Sequence, residues 1–258
     1  MQNSNISWTD HTFNPWLGCS KVSPGCTYCY AEVQARKLQA AHHTGPLWGE
    51  RANRHVTSVD YWRKPLVWAK RARANRASQL VFCASMSDVF DDHPTAAATR
   101  PRLWNLIDAT RCRDPHVGGL HWLLLSKRPQ SIESMLPPNW DDGWAGCWLG
   151  VTIEGPDQAW RADVLREIPA AIRFVSYEPA IGPLASAIDL RGYQWLIAGG
   201  ESGPHRRADS LKWFRDIRDA CAAAETAFFF KQRAALHPGH DPFIDGVQYH
   251  DWPAAAGP

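Results

Sequence analysis

The sequence predicts an α/β fold: a full or partial (β/α) barrel of about six to seven parallel strands, in a single domain over residues 1–258. Three observations predict it. Seven short apolar runs recur along the chain, most of them continuously apolar and bounded by turn residues, as strands buried on both faces of a parallel sheet are. Amphipathic stretches alternate with these runs. With 258 residues and 45% hydrophobic content, the chain has the size of one barrel domain and can bury a large core. A doubly wound open sheet is the competing arrangement.

In chain order, the first strand lies within ISWTDHTFNP (6–15), and CYAEVQARKLQAA (29–41) is the first helix. Residues 42–78 break the rhythm and read as an insertion. His42 and His43 open it in a polar turn that should face solvent, and a Gly-Pro turn follows at 45–46. Between Tyr61 and Ser78 the segment carries Arg63, Lys64, Lys70, Arg71, Arg73 and Arg76 and no acidic residue. The rhythm resumes with strands at QLVFCASM (79–86), HWLLLSK (121–127), CWLGVTI (147–153), IRFVSYE (172–178), QWLIAGG (194–200) and AFFFKQ (227–232). Helices fall between them at 99–111, 129–136, 156–168 and 209–225. The last opens on the capping residues Asp209 and Ser210 and repeats an apolar face through Leu211, Phe214, Ile217 and Cys221. The tail PAAAGP should fray.

A formal net charge of +2 gives no bulk electrostatic argument for nucleic acid or membrane. No run reaches 18 apolar residues, so no membrane partner is expected. MQNSNISWTD lacks the basic start and apolar segment of a signal peptide, so the expected location is cytoplasmic. In a reducing compartment seven cysteines are not a disulfide framework, and a clustered subset points to metal or redox chemistry.

That subset is Cys19, Cys26 and Cys29, in GCSKVSPGCTYCYAE (18–32). The Ser23-Pro24-Gly25 turn lets the loop curl so that the thiols converge. Structural zinc would want a fourth ligand, for which His11, Cys83, Cys112 and Cys147 are available, none with pair spacing. A four-iron cluster on three thiolates would instead keep one iron open to a small molecule. The loop follows the first strand and leads into the first helix, at the mouth of a βα barrel, where catalysis resides in such folds. Cys83, Cys112, Cys147 and Cys221 read as small buried apolar residues.

The loop resembles the cluster loop of radical S-adenosylmethionine (SAM) enzymes, with x6 where that superfamily has x3 in the first gap. Nearly the whole chain resembles a phage and prophage three-Cys-motif family that is radical-SAM-like. The matching stretches are residues 8–32, WRKP (62–65), SMSDVF (85–90), LLSKRP (124–129), LGVTIE (149–154), SYEPAIGPL (176–184), AGGESG (198–203) and FFFKQ (228–232). The resemblance implies a radical SAM barrel, a 4Fe-4S cluster on Cys19, Cys26 and Cys29, SAM as cofactor and a reducing electron donor as partner.

Polar residues also arrive where each apolar run stops, and in a βα barrel those ends converge on one face. Ser85, Ser87 and Asp88 would stand near the amino-acid end of SAM, with Lys127 or Arg128 at its carboxylate and Glu154 or Glu178 at its ribose. Gly199 and Gly200 would let backbone approach a ligand closely, Glu201 would point inward, and Lys231 closes the set. The basic segment, with Trp62 and Trp68 placed to stack on bases, makes a nucleic-acid base or nucleotide the expected substrate class. A solvated helix face is the plainer reading of that segment. The rival to an enzyme is a non-catalytic iron–sulfur or zinc protein that binds nucleic acid or a partner protein.

Overall fold

The computed structural model describes residues 4–42 and 45–254, with backbone alone for 40–42. The expectations for the His42 and His43 side chains and for the tail beyond 254 lie outside the described residues. In chain order the elements are β1 (His11–Phe13), β2 (Trp16–Leu17), α1 (Tyr30–His42), β3 (His55–Val56), α2 (Val59–Trp62), α3 (Lys64–Ala74), β4 (Ser78–Cys83), α4 (Pro94–Thr110), β5 (Gly119–Ser126), α5 (Ile132–Met135), β6 (Cys147–Thr152), α6 (Trp160–Arg166), β7 (Ile172–Tyr177), β8 (Trp195–Gly199), α7 (Leu211–Ala223) and β9 (Ala227–Gln232).

Seven strands form one sheet in the order β1-β4-β5-β6-β7-β8-β9, every pair parallel. The order never reverses, so the doubly wound alternative is not the one adopted. Crossovers of a single hand then place the helices on one face of the sheet. The sheet also curls. The Trp8 ring lies 4.7 Å from Phe82 on β4 and 6.3 Å from Trp195 on β8. A flat sheet would hold those strands roughly 19 Å apart. β1 and β9 do not pair, and the structure is a half-barrel. Residues 249–251 bond to the free edge of β9 through Phe230 N to Tyr249 O and Asp251 N to Phe228 O, which blunts that edge.

Strand alternation divides the core in two. Outward residues such as Val81, Trp122, Leu124, Leu149, Val175, Leu196 and Phe230 pack under the helices. Inward residues Phe82, Leu123, Trp148, Phe174, Trp195, Ile197 and Phe229 join Trp8 in an aromatic floor that fills part of the concave face. On β6, a Cβ at Gly150 would run into the Phe174 ring, so only glycine admits this packing.

Segment 42–78 is not an insertion. It supplies α3, which buries Pro65, Trp68, Ala69 and Ala72 against β4, β5 and α4 and so is the covering helix between β1 and β4. Trp62 and Trp68 are correspondingly buried: Trp62 meets Phe13 edge-on, and Trp68 stacks on His11 at 4.2 Å. Neither ring can receive a base. His11, engaged by Trp68 and Gln79, stands away from the cysteine loop's chemistry. The first strand is shorter than its apolar stretch because Trp8 and Thr9 turn into the concavity and toward β4. Stretch 129–136 forms a 3-10 turn and the short α5. Helix α4 starts earlier than expected, at Pro94 in its first turn with the His93 ring capping Thr95 N. Cys83, Cys112, Cys147 and Cys221 are buried, as expected of small apolar side chains. No helix among the described residues is long and apolar enough to cross a membrane.

Two stability predictions follow from the floor. Trp195 is fully buried against Trp8, Trp148, Phe174, Phe229 and Trp252, and Trp195→Ala should cost about 3–5 kcal/mol in a urea titration. His121 is buried beside Trp148, with neither ring nitrogen hydrogen-bonded, and burial holds its imidazole down to about 4. The unfolded chain therefore takes up a proton first. This contribution is intact above about pH 6.5 and is lost as the pH falls toward 4, by up to about 3 kcal/mol. His121→Leu should flatten that acid limb in urea midpoints compared at pH 7 and pH 4.5; an unchanged limb would disprove the assignment.

Candidate metal centre at the mouth of the half-barrel

The cysteine loop lies across the C-terminal ends of the strands and is tied to them at several points. Its first tie is at β5. The Arg128 guanidinium reaches Cys19 Sγ at 3.7 Å, Ser20 O at 3.1 Å and Ser20 Oγ at 2.7 Å. Asp88 orients that guanidinium through a buried 3.0 Å ion pair, and its carboxylate also accepts from Ser126 Oγ, Lys127 N and Phe90 N. The second tie is at β6. Ser23 Oγ donates to Glu154 at 2.6 Å, and Glu154, wholly buried, pairs with Arg161 at 2.9 Å. Gly25 sits so close that a Cβ there would meet Glu154 Oε1 at 2.5 Å.

The third tie is at β8. Arg207, bound to Glu201 by its backbone N and side chain, donates to Pro24 O at 3.0 Å and lies over the Tyr28 ring. A fourth runs from β4, where the Tyr30 hydroxyl donates to Ser85 O at 2.9 Å. The chain leaves β4 through Ala84 at φ +68, a left-handed conformation that costs a non-glycine residue about 1–2 kcal/mol. This turn directs Ser85 to Asp88 at the loop. Cys19 itself is fixed by backbone bonds from its N to Leu47 O and from Gly49 N to its own O. Gly18, at φ +112, leaves no room for a Cβ beside the Leu47 carbonyl.

Several expected site residues are thus already occupied. Asp88, Arg128 and Glu154 spend their polar atoms within the protein. The Ser85 hydroxyl bonds Asn14, and that of Ser87 bonds Trp16 O. Gly200 leaves room for Ala234 N and Asp209, and a Cβ at Gly199 would come within 3.2 Å of the Glu178 carboxylate. Glu201 points to Arg207. Lys231 meets Glu178 at 2.7 Å, and Trp8 Nε1 donates to the other oxygen of Glu178 at 3.2 Å. Lys127 has no ion-pair partner among the described residues, and its charge favours the Cys29 thiolate. Tyr30 is 51% exposed, with its hydroxyl held by Ser85 O. Sequence reasoning missed Arg161, Arg207 and Trp8, none of which carries a local signal.

Burial pushes the Cys19 thiol up to about 11 against the pull of Arg128, and raises Cys29 against that of Lys127. Among the described residues no three His, Cys, Asp or Glu side chains are gathered to hold one metal ion. Ligands of a cluster bind different irons and stand wider apart than ligands of one ion. The donor set fits that larger object: three thiols of one loop, two of them half-open, with Lys127 and Arg128 beside them to offset thiolate charge.

Removing one member of the Glu154–Arg161 pair would leave a buried charge uncompensated. Arg161→Met should cost about 3–5 kcal/mol in urea unfolding, and adding Glu154→Gln should recover part of it. A silent single change would mean that the pair does not hold the loop.

No curated protein and no solved structure matches the chain. A family profile does match, over residues 3–243, under the description "Protein of unknown function (DUF5131)". With nearly its whole length covered by that profile, the chain belongs to the DUF5131 family.

Proposed function

We propose that this protein is a radical SAM enzyme whose Cys19, Cys26 and Cys29 hold a 4Fe-4S cluster with one open iron. The observation that carries the reading is the placement of a three-thiol loop across the C-terminal mouth of a parallel half-barrel, anchored by four strand ends. Together, reduced cluster and SAM would supply one-electron cleavage of a carbon–sulfur bond, giving methionine and a 5′-deoxyadenosyl radical that takes a hydrogen atom from substrate.

The chain's own residues divide the remaining tasks. Lys127, near Cys29 and without an ion-pair partner among the described residues, is the cation for the SAM carboxylate, because Arg128 is committed to Asp88, Cys19 and Ser20. Glu178 is the carboxylate for the ribose, because Glu154 is sealed beneath Ser23 and Gly25. Lys231 and Trp8 fix Glu178 in place. The Tyr30 ring covers the concavity beside Cys29, and the aromatic floor below keeps water from a radical. A nucleic-acid base or nucleotide is the substrate class we favour, and a reducing electron donor is the required partner.

Anaerobic reconstitution should give a brown protein with about four irons per chain. Dithionite and SAM should then release 5′-deoxyadenosine, and Cys26→Ala should abolish both colour and cleavage. A colourless protein with one zinc per chain would replace this reading with a non-catalytic metal protein.

A further inference from the structure

The charge of this chain is unevenly placed. Six of its 28 Lys and Arg lie between Arg63 and Arg76, and the remaining 22 face 26 Asp and Glu, a formal −4 beside a formal +6. The structure collects that +6 on one surface. Arg63, Lys64, Lys70, Arg71, Arg73 and Arg76 are all exposed, on α3 and the turns at its two ends. Only Arg63 has an ion-pair partner among the described residues, Asp60 at 3.0 Å. The packed neighbour α4 adds Arg102, exposed and lying over the Trp62 ring at 4.0 Å, also without an ion pair among the described residues. Arg73 reaches across to the Ala109 carbonyl of α4, so the cations span both helices.

We propose that this α3–α4 face binds the phosphate backbone of nucleic acid. Most of its cations are arginines, whose planar forks suit phosphate oxygens. Unpaired cations on a rigid helix are the electrostatic footprint of such a surface. The aromatic rings of the segment are buried, so the contact reads charge and not bases and is independent of sequence. An anionic membrane fits less well. The apolar stripe of α3 is used against the sheet, leaving Leu66 and Val67 as the exposed large apolar side chains of the helix, too little for an interfacial helix. The surface is independent of any cluster, so its test needs no cofactor.

The probes are a fluorescein-labelled 25-nucleotide DNA of mixed sequence, its duplex and phosphatidylserine vesicles. Anisotropy should show binding to both DNA forms that is indifferent to sequence and falls with salt. Lys70→Glu/Arg71→Glu/Arg73→Glu should weaken it by tenfold or more and lower the salt slope by about 2–3. Lys212→Glu, on the exposed face of α7, should leave it within about twofold. Circular dichroism of the triple variant checks its fold, and Lys70→Gln/Arg71→Gln gives a milder second reading. No DNA binding, unchanged binding in both variants, or preference for the vesicles would overturn the proposal. SAM cleavage should be unaffected by the triple variant, so failure here leaves the cluster reading untouched.

Discussion

The mouth of this half-barrel depends on one buried carboxylate. Asp88, just past β4, accepts from Ser126 and Lys127 at the end of β5 and orients Arg128, which in turn holds Cys19 and Ser20. A charge in that position is tolerated only because its partners are complete; deprived of Arg128 it would be a buried, unmatched ion. The same logic repeats around the rim with Glu154 and Arg161, and with Glu201 and Arg207. Each pair ends on the cysteine loop, through Ser23 in one case and Pro24 in the other. Arginine therefore does most of the positioning here, and lysine is left for the open space.

Much of the fold was legible because parallel strands buried on both faces write themselves as continuous apolar runs. LVFC, WLLLS, WLGVT, FVSY, WLIAG and FFFKQ each became a strand. The helices were harder. In α3 the buried Pro65, Trp68, Ala69 and Ala72 are interrupted by Lys70 and Arg71, which hid a buried stripe and made a covering helix read as an insertion with a solvated face. The three thiols and the convergence of polar strand ends were visible from order alone. Their partners were not, because Ser23 with Glu154 or Pro24 with Arg207 are pairings between distant segments that no local pattern specifies. For the same reason Asp88 and Arg128, read as ligand groups, turned out to serve each other.

The concave face is split by polarity. Below lie Trp148, Phe174, Trp195 and Phe229; above lie Lys127, Glu178, Lys231, Tyr30 and the thiols. Trp8 marks the border, with its ring among the aromatics and its Nε1 on Glu178. An apolar base under a charged chamber lowers the local dielectric and strengthens each electrostatic contact made above it.

The missing seventh-to-first pairing has its own consequence. Between β1 and β9 the wall is bridged by side chains, with Trp8 on one side and Trp252 on the other packed on Trp195, and by no ladder of amides among the described residues. A closed cylinder is held at every seam by backbone bonds, whereas here this seam is held by packed aromatic surfaces. The packing of those indoles therefore sets how firmly the seam is held.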